Sequence, residues 1–268
     1  MSRTILIDGD VLVYKTAWAS EQIIDWGDGL VTLHSKVDEA AQAIDAQINN
    51  IKAKLKPDEV VVALTCHETV NFRKEFYPQY KENRNEKRKP LVWKAMREHL
   101  LTNHEAKIKP NLEADDILGI MATMWKPDGK EKIIVSIDKD FKTIPCKFFN
   151  MASGELSEVS EEEANVNFLT QTLTGDSTDN YPGCAGIGPK RAKALLDSAI
   201  HEAFSDTDPA EYSVSNALPV MWRAVLKAFE KAGFGPEFAL TQARCARILR
   251  ASDYDFPTKK PILWSPPV

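Results

Sequence analysis

The stretch from Leu112 to Asp140 constrains this chain more than any other. It opens on Leu-Glu-Ala-Asp-Asp (112–116) and closes on Ser-Ile-Asp-Lys-Asp (136–140). Between them Ile117, Leu118, Ile120, Met121 and Met124 recur at helical spacing, and residues 133–137, Ile-Ile-Val-Ser-Ile, read as a buried strand. The pattern predicts a helix that starts among acids and a strand that ends in them. One acid in a first helical turn gains from the helix dipole and can cap free N–H groups, so Glu113 or Asp116 alone carries little information. Five together, Glu113, Asp115, Asp116, Asp138 and Asp140, are different if they converge. Two carboxylates ~5 Å apart repel by roughly 3 kcal/mol at an effective dielectric of ~20. A converging set needs cations, and oxygen donors without Cys or His point to hard ions, Mg²⁺ or Mn²⁺.

At 268 residues, with 43% hydrophobic content, the chain can build one large domain or two small ones. Cys66, Cys146, Cys184 and Cys245 are scattered with no CxxC pair, which fits reduced thiols and a cytoplasmic location, the host cytoplasm if a phage encodes the chain. No apolar run approaches a membrane span and the N-terminus lacks signal-peptide architecture, so no membrane partner is expected. The net charge of −5 argues at first against nucleic acid, but it hides a segregation. Arg73–Glu98 holds nine Lys/Arg against four Glu, which makes that stretch +5 and the remainder −10. Acids that gather metal beside a basic stripe suit a phosphodiester enzyme.

Along the chain, Thr4–Ile7 predicts a short strand that runs into Asp8-Gly-Asp10. A strand ending in Asp presents a carboxylate at the carboxyl edge of a parallel sheet, although a turn Asp beside Gly reads the same way. Leu30–His34 suggests a hairpin strand, Val37–Leu55 an amphipathic helix and Val60–Leu64 a second buried strand, an order that predicts a parallel α/β sheet. The basic stretch interleaves Phe72, Arg73, Lys74, Phe76, Tyr77, Tyr80, Lys81 and Arg84, residue types that contact phosphates and stack on bases. Leu91–Leu101 resumes a helix. Its His99 and nearby His104 read as surface or core residues rather than ligands, because neither joins an acid cluster in sequence.

Lys147–Met151 suggests a further strand, Ser160-Glu-Glu-Glu a helix start, and Val166–Leu173 a helix. A polar loop then carries Asp176 and Asp179. Gly186-Ile-Gly188-Pro-Lys190-Arg191-Ala-Lys193 fits a helix-hairpin-helix, whose glycines let backbone N–H groups approach phosphate; an ordinary helix-turn-helix corner is the alternative. Ser205–Pro219 reads as a polar loop, and Met221, Trp222, Val225, Leu226 and Phe229 as the buried stripe of a helix. In a last helix, Phe238–Leu249, Arg244, Arg247 and Arg250 share a face that meets DNA or solvent. The tail Tyr254–Val268 is expected to pack extended on the body.

With these residues placed, the chain resembles the 5′→3′ exonucleases of the flap-endonuclease family over nearly its whole length. The motifs are Ile-Asp8-Gly-Asp, Asn71-Phe-Arg-Lys, Tyr80-Lys81-Glu-Asn-Arg84, Glu113-Ala-Asp115-Asp116, Asp138-Lys-Asp140-Phe, Gly175-Asp176-Ser-Thr-Asp179-Asn and Gly186-Ile-Gly188-Pro-Lys. The end, Ala246-Arg-Ile-Leu-Arg250 with Tyr254 and Leu263-Trp264, is similar to the short stand-alone exonucleases of small tailed bacteriophages. The resemblance implies a PIN-like α/β fold: a central, mostly parallel sheet flanked by helices, a helical arch, and a C-terminal helical region containing a helix-hairpin-helix (helix–three-turn–helix). Residues 1–164 would form the nuclease domain, with the arch at about 70–110. Residues 165–268 would form the DNA-binding region, with the helix-hairpin-helix at about 176–197.

The resemblance also implies two groups of metal-binding acids. Asp8, Glu113, Asp115 and Asp116 match the first; Asp138, Asp140, Asp176 and Asp179 match the second, with Asp116 between them. Asp8 and Asp116 are the central catalytic acids, and Lys81 and Arg84 the cations for the scissile phosphate. Arg73, Lys74, Tyr80 (as a stacking partner), Gly186, Gly188, Lys190, Arg191 and Lys193 are the expected DNA contacts. The family usually has an Asp after the second strand. Counting back from Phe72 gives Cys66 or Glu68 here, and Glu68 keeps the carboxylate.

Two Mg²⁺ or Mn²⁺ ions are implied, with K⁺ at the helix-hairpin-helix. The implied substrates are duplex DNA with a free 5′ end, 5′ flaps, and primer RNA in RNA–DNA hybrids, cut by a monomer in phage DNA replication or recombination to leave 5′-phosphates. Two rivals explain less. A haloacid-dehalogenase-type phosphatase shares the strand into Asp8-Gly-Asp10 but has no use for Glu113-Ala-Asp-Asp, the basic stretch or Gly-Ile-Gly. A non-catalytic DNA-binding accessory protein needs only the arch and hairpin, and eight acids near DNA weaken its binding unless metals occupy them.

Overall fold

Apolar runs buried on both faces are satisfied in a parallel sheet covered by helices. The computed structural model, which describes residues 2–84, 87–124, 129–205 and 214–267, with backbone only for 214–216, brings such runs together. The chain divides into two compact units. One comprises Met1–Val70, Lys87–Lys139 and Lys147–Ser157; the other comprises Asn71–Glu86, Asp140–Cys146 and Glu158–Val268. No helix among the described residues is long and apolar enough to cross a membrane.

In the first unit, β1 (Arg3–Asp8) leads into α1 (Gly9–Ala19), a hairpin of β2 (Gln22–Asp25) and β3 (Val31–His34), α2 (Val37–Leu55) and β4 (Glu59–Ala63). Then come α3 (Trp93–Asn103), α4 (Ala114–Thr123), β5 (Glu131–Ser136), β6 (Cys146–Asn150) and β7 (Leu156–Val159). The sheet order is β4-β1-β5-β6-β7, with β1 parallel to both β4 and β5, and β5 parallel to β6. The expected central, mostly parallel sheet flanked by helices is therefore what forms. Sequence explains the elements locally. Ala40, Ile44, Ile48, Ile51 and Leu55 make one buried stripe along α2, and Lys56 closes it in a left-handed C-cap. Ile5, Ile7, Val62, Ile133 and Val135 pack in the sheet against Leu12, Val13, Ile44, Met96 and Leu100. Each such side chain contributes about 1.5–3 kcal/mol when fully buried.

The second unit is helical: α5 (Glu161–Thr174), α6 (Pro189–Phe204), α7 (Val214–Lys231) and α8 (Pro236–Ala246). Ser160 and Glu163 form a capping box at the start of α5. The core gathers Phe168, Leu173, Tyr181, Met221, Val225, Phe229 and Trp264, with Trp264 edge-on to both Phe168 and Trp222 at 5.1 Å. Trp264 joins this core, but the tail is not extended as expected: Tyr254–Asp255 and Lys260–Pro261 pair as an antiparallel hairpin, and Ile262 and Leu263 are exposed.

Three further expectations change here. The polar loop expected at Ser205–Pro219 is shorter: residues 206–213 lie outside the described residues, but α7 already begins at Val214 and contains Pro219. The last helix stops at Ala246, so Arg244, Arg247 and Arg250 do not share a helical face for DNA or solvent. Arg247 is buried on Asp253 at 2.8 Å, Arg250 is buried on Thr143 O and Asn165 Oδ1, and Arg244 donates to Trp264 O. Arg73, expected on DNA, is also buried. Its guanidinium donates to the carbonyls of Cys245 (3.3 Å) and Arg247 (2.6 Å) and lies over the rings of Phe72 and Tyr80. Arg73, Arg244 and Arg250 satisfy main-chain carbonyls, and Arg247 satisfies a buried carboxylate.

Arg73→Met is accordingly expected to lower the unfolding free energy by about 2–4 kcal/mol, because it strips buried carbonyls of their donor. Urea denaturation measures that loss. Unchanged duplex-DNA affinity of the folded variant distinguishes this role from a phosphate contact.

Candidate functional site

In the first unit, parallel β1, β4 and β5 end at one edge. The register sets Asp8 beside Ala63 and Ile7 beside Val135. Asp8 caps α1, its Oδ1 accepting from the Val11 N–H at 3.2 Å. Its Oδ2 accepts from Ser136 Oγ at 2.8 Å, and the same Ser136 Oγ accepts from the Asp138 N–H at 3.1 Å. On the other side, Asp10 accepts from the Thr65 N–H and from Arg97 Nη1, both at 3.0 Å. Thr65 Oγ1 in turn accepts from the Ala114 N–H at 3.0 Å, and the Cys66 N–H donates to Leu112 O at 3.1 Å. This chain of bonds ties the start of α4 to the loop after β4, which brings Glu113, Asp115 and Asp116 to the edge that carries Asp8 and Asp138. Asp116 accepts from the Glu113 N–H at 3.2 Å in a capping box, and both side chains are buried.

Asp8 is 2% exposed. Burial first, then the charge of Asp10, and further that of Asp138, push its carboxyl up to about 7, against the hydrogen bonds from Ser136 and Val11. A buried carboxylate among carboxylates, with oxygen donors only, fits a hard divalent cation. Glu68 stands apart. It is exposed and its carboxylate turns back on its own loop, accepting from Cys66 Sγ at 3.3 Å and the His67 N–H at 3.2 Å.

In the second unit, Gly175 and Gly183 meet backbone to backbone, both at positive φ. A Cβ on Gly183 would sit 2.2 Å from Gly175 N, so neither position tolerates a side chain. This closure and a bridge between Asp176 and Tyr181 fold the polar loop back on itself. Asp179 then accepts from the Tyr80 hydroxyl at 3.0 Å, lies 3.5 Å from Lys81 Nζ and pairs with Arg84, while the Lys81 N–H donates to Asp179 O at 2.9 Å. Arg84 Nε also donates to Thr178 O at 3.2 Å. Gln171 Nε2 donates to Asp140 Oδ2 at 2.9 Å. Tyr181 feels the charge of all three acids. Burial, then the charges of Asp179, Asp176 and Asp140, raise its phenol well above the ordinary range, and its hydroxyl is buried with no hydrogen-bond partner among the described residues.

Tyr80 corrects an expectation. Its ring is in the core of this unit and its hydroxyl is engaged by Asp179, so it is not a surface on which a base stacks. Lys74 is half-buried. Gly186 and Gly188 are exposed between α5 and α6, and Gly188 caps α6. Lys190, Arg191 and Lys193 are exposed on the first turns of α6; Arg191 donates to Gly186 O at 3.2 Å and Lys193 pairs with Asp197 at 2.9 Å.

Sequence reasoning missed Thr65, Arg97 and Gln171, which hold acids from distant parts of the chain and carry no local signal, and Tyr181, whose main chain pairs with that of Asp176. It also set aside His99 and His104. The fold brings both to Asp45, with donor atoms all within 4.8 Å of one another.

The family described as "5'-3' exonuclease, N-terminal resolvase-like domain" matches residues 3–168. The exonuclease of Escherichia phage T7 is 31% identical over 98% of this chain and 93% of its own length. The flap endonuclease Xni of Shewanella baltica is 32% identical over 53% of this chain and 58% of its own length. Among solved structures, the phage T5 D15 protein co-crystallised with metal ions superposes with a TM-score of 0.55 at 16% identity, covering 91% of this chain and 93% of that one.

The raised carboxyl of Asp8 fixes a pH dependence. In metal-free protein the folded state holds a proton that the unfolded state releases between about pH 4 and pH 7, so stability falls as pH rises through that window and levels above it. Asp8→Asn removes this slope. In EDTA, urea unfolding at pH 8 is expected to find the variant more stable than the parent by about 2–4 kcal/mol, with the advantage shrinking toward pH 4.

Proposed function

The chain belongs to the 5′-3′ exonuclease family, and we propose that it is a divalent-metal-dependent nuclease that degrades duplex DNA from a 5′ end and cuts 5′ flaps. The observation that carries this reading is the buried Asp8 among Asp10 and Asp138, at the edge where α4 brings Glu113, Asp115 and Asp116. Relatives named as an exonuclease and as flap endonucleases support it.

In this reading Asp8, Glu113, Asp115 and Asp116 hold one divalent ion and Asp140, Asp176 and Asp179 a second; Asp138, which the resemblance matches to the second group, shares the Ser136 hydroxyl with Asp8 and is reassigned to the first. Mg²⁺ is the ion, with Mn²⁺ as substitute. Bound ions supply a water acidic enough to attack near neutral pH and stabilise charge on the attacking and leaving oxygens. The chain's own residues do the positioning. Ser136 and the Val11 N–H hold Asp8, and the Glu113 N–H holds Asp116, so the catalytic acids need no reorganisation. Lys81 and Arg84 rest on Asp179 and transfer to the scissile phosphate when substrate binds. Gly186, Gly188, Lys190, Arg191 and Lys193, with the N-terminus of α6, grip duplex backbone without reading sequence, and K⁺ binds at this hairpin. Lys74 adds to the phosphate contacts. Glu68 joins the metal-binding acids only after leaving its own loop.

Residues 1–164 form the nuclease domain, and residues 165–268 form the DNA-binding region, which also supplies the metal-binding Asp176 and Asp179. The arch spans about 70–110, of which 85–86 lie outside the described residues. A monomer acting on 5′ ends, flaps and primer RNA in RNA–DNA hybrids, and leaving 5′-phosphates, fits a role in phage replication or recombination.

Digestion of a linear duplex in Mg²⁺ tests the core of this. Label at the 5′ end should be released before label at the 3′ end, a covalently closed circle should survive, and EDTA should stop the reaction. Asp138→Asn and Lys81→Ala should each slow it by about 10²-fold or more. Full-rate cleavage by Asp138→Asn would show that the acids are not the site. Tight duplex binding without cleavage in any divalent metal would favour a non-catalytic DNA-binding protein.

A further inference from the structure

Apart from these acids, the first unit gathers a donor set of different chemistry. His99 near the end of α3 and His104 at its C-cap both aim Nε2 at one oxygen, Oδ1 of Asp45 on α2, at 2.8 and 2.7 Å. The two rings meet edge to face with centroids 5.6 Å apart. The imidazoles are sheltered, at 14% and 18% exposed, while Asp45 is 42% exposed and leaves an approach from solvent.

We propose that Asp45, His99 and His104 form a binding site for one borderline transition ion of the Zn²⁺ class, which staples α3 to α2. Two neutral nitrogens and one carboxylate oxygen are a set that Zn²⁺, Co²⁺, Ni²⁺ and Cu²⁺ favour and Mg²⁺ does not. Three protein ligands leave a fourth position for water. Ligand atoms about 2.0–2.1 Å from a tetrahedral ion lie roughly 3.3 Å from one another, so the trio admits an ion when its side chains open by about half an ångström.

The main chain holds the ligands ready. The His104 N–H donates to Leu100 O at 3.2 Å, and the Ala106 N–H to the same oxygen at 3.1 Å. Lys107 then pairs with the sheet, donating to Val62 O at 2.7 Å. Asn103 Nδ2 stands 2.9 Å from His99 Nδ1, and turning this amide over would present its oxygen to the ring proton once Nε2 is committed to an ion. The ion would thus fix the end of α3 just ahead of the segment that leads to Glu113, Asp115 and Asp116.

Copper is the discriminating probe, because its spectrum reports ligand type. One equivalent of Cu²⁺ added to the full chain in excess Mg²⁺ should give an electron paramagnetic resonance signal split by two nitrogens. His99→Gln and His104→Gln should each remove one of them. One equivalent of Zn²⁺ should raise Tm by about 2–4 °C in the parent and in neither variant. Mg²⁺-dependent nuclease activity should persist in both, which separates this site from the proposed catalytic acids. An oxygen-only Cu²⁺ signal in the parent overturns the proposal whether or not the variants fold. A nitrogen pattern unchanged by both substitutions, or an equal Zn²⁺ shift in all three proteins, overturns it too.

Discussion

The burial of a carboxylate among carboxylates at the end of β1 governs the first unit. Burial first, and then the charges of Asp10 and Asp138, make the Asp8 carboxyl resist ionisation. A fold keeps such a group only if something else gains. Part of the compensation is local: Ser136, the Val11 N–H, and for Asp10 the guanidinium of Arg97 and the Thr65 N–H. The rest matches a cation bound by oxygen alone. The parallel register that sets Asp8 beside Ala63, with Ser136 reaching Asp8, makes the arrangement unavoidable once the strands pair.

The second unit meets the same difficulty differently. Asp179 is balanced within the unit by Lys81 and Arg84, and the two glycines that touch backbone to backbone fix the loop that presents it. Only Arg84 is exposed, and an ion pair with one exposed partner is weak; Lys81 and Asp179 are largely buried but stand 3.5 Å apart. Such contacts suit the proposed transfer of both cations to a phosphate. The buried arginines are the opposite case. Arg73, Arg247 and Arg250 are locked on carbonyls, an amide and a carboxylate, and their charge is spent on holding chain segments together.

The clustered acids were legible because their signal is local. An Asp at the end of an apolar strand, or a run of acids before an amphipathic stripe, reads the same wherever the chain goes next. The basic residues were less legible. Arg73, Lys81 and Arg84 look alike in sequence, yet one is buried in a core and two pair with Asp179. Tyr80 looked like a stacking residue and is a core side chain with its hydroxyl on Asp179. His99 and His104 gave no hint of Asp45, which lies on a different helix.

Sequence by itself determined the parallel sheet, the helix that starts at the acids, the strand that ends in them and the glycine pair before α6, because hydrophobic period and caps act over a few residues. Tertiary structure alone decided which cations are buried, which acids they neutralise, and that two histidines share one carboxylate. Those outcomes depend on burial and on distances between residues far apart in the chain, and neither quantity exists until the elements have packed.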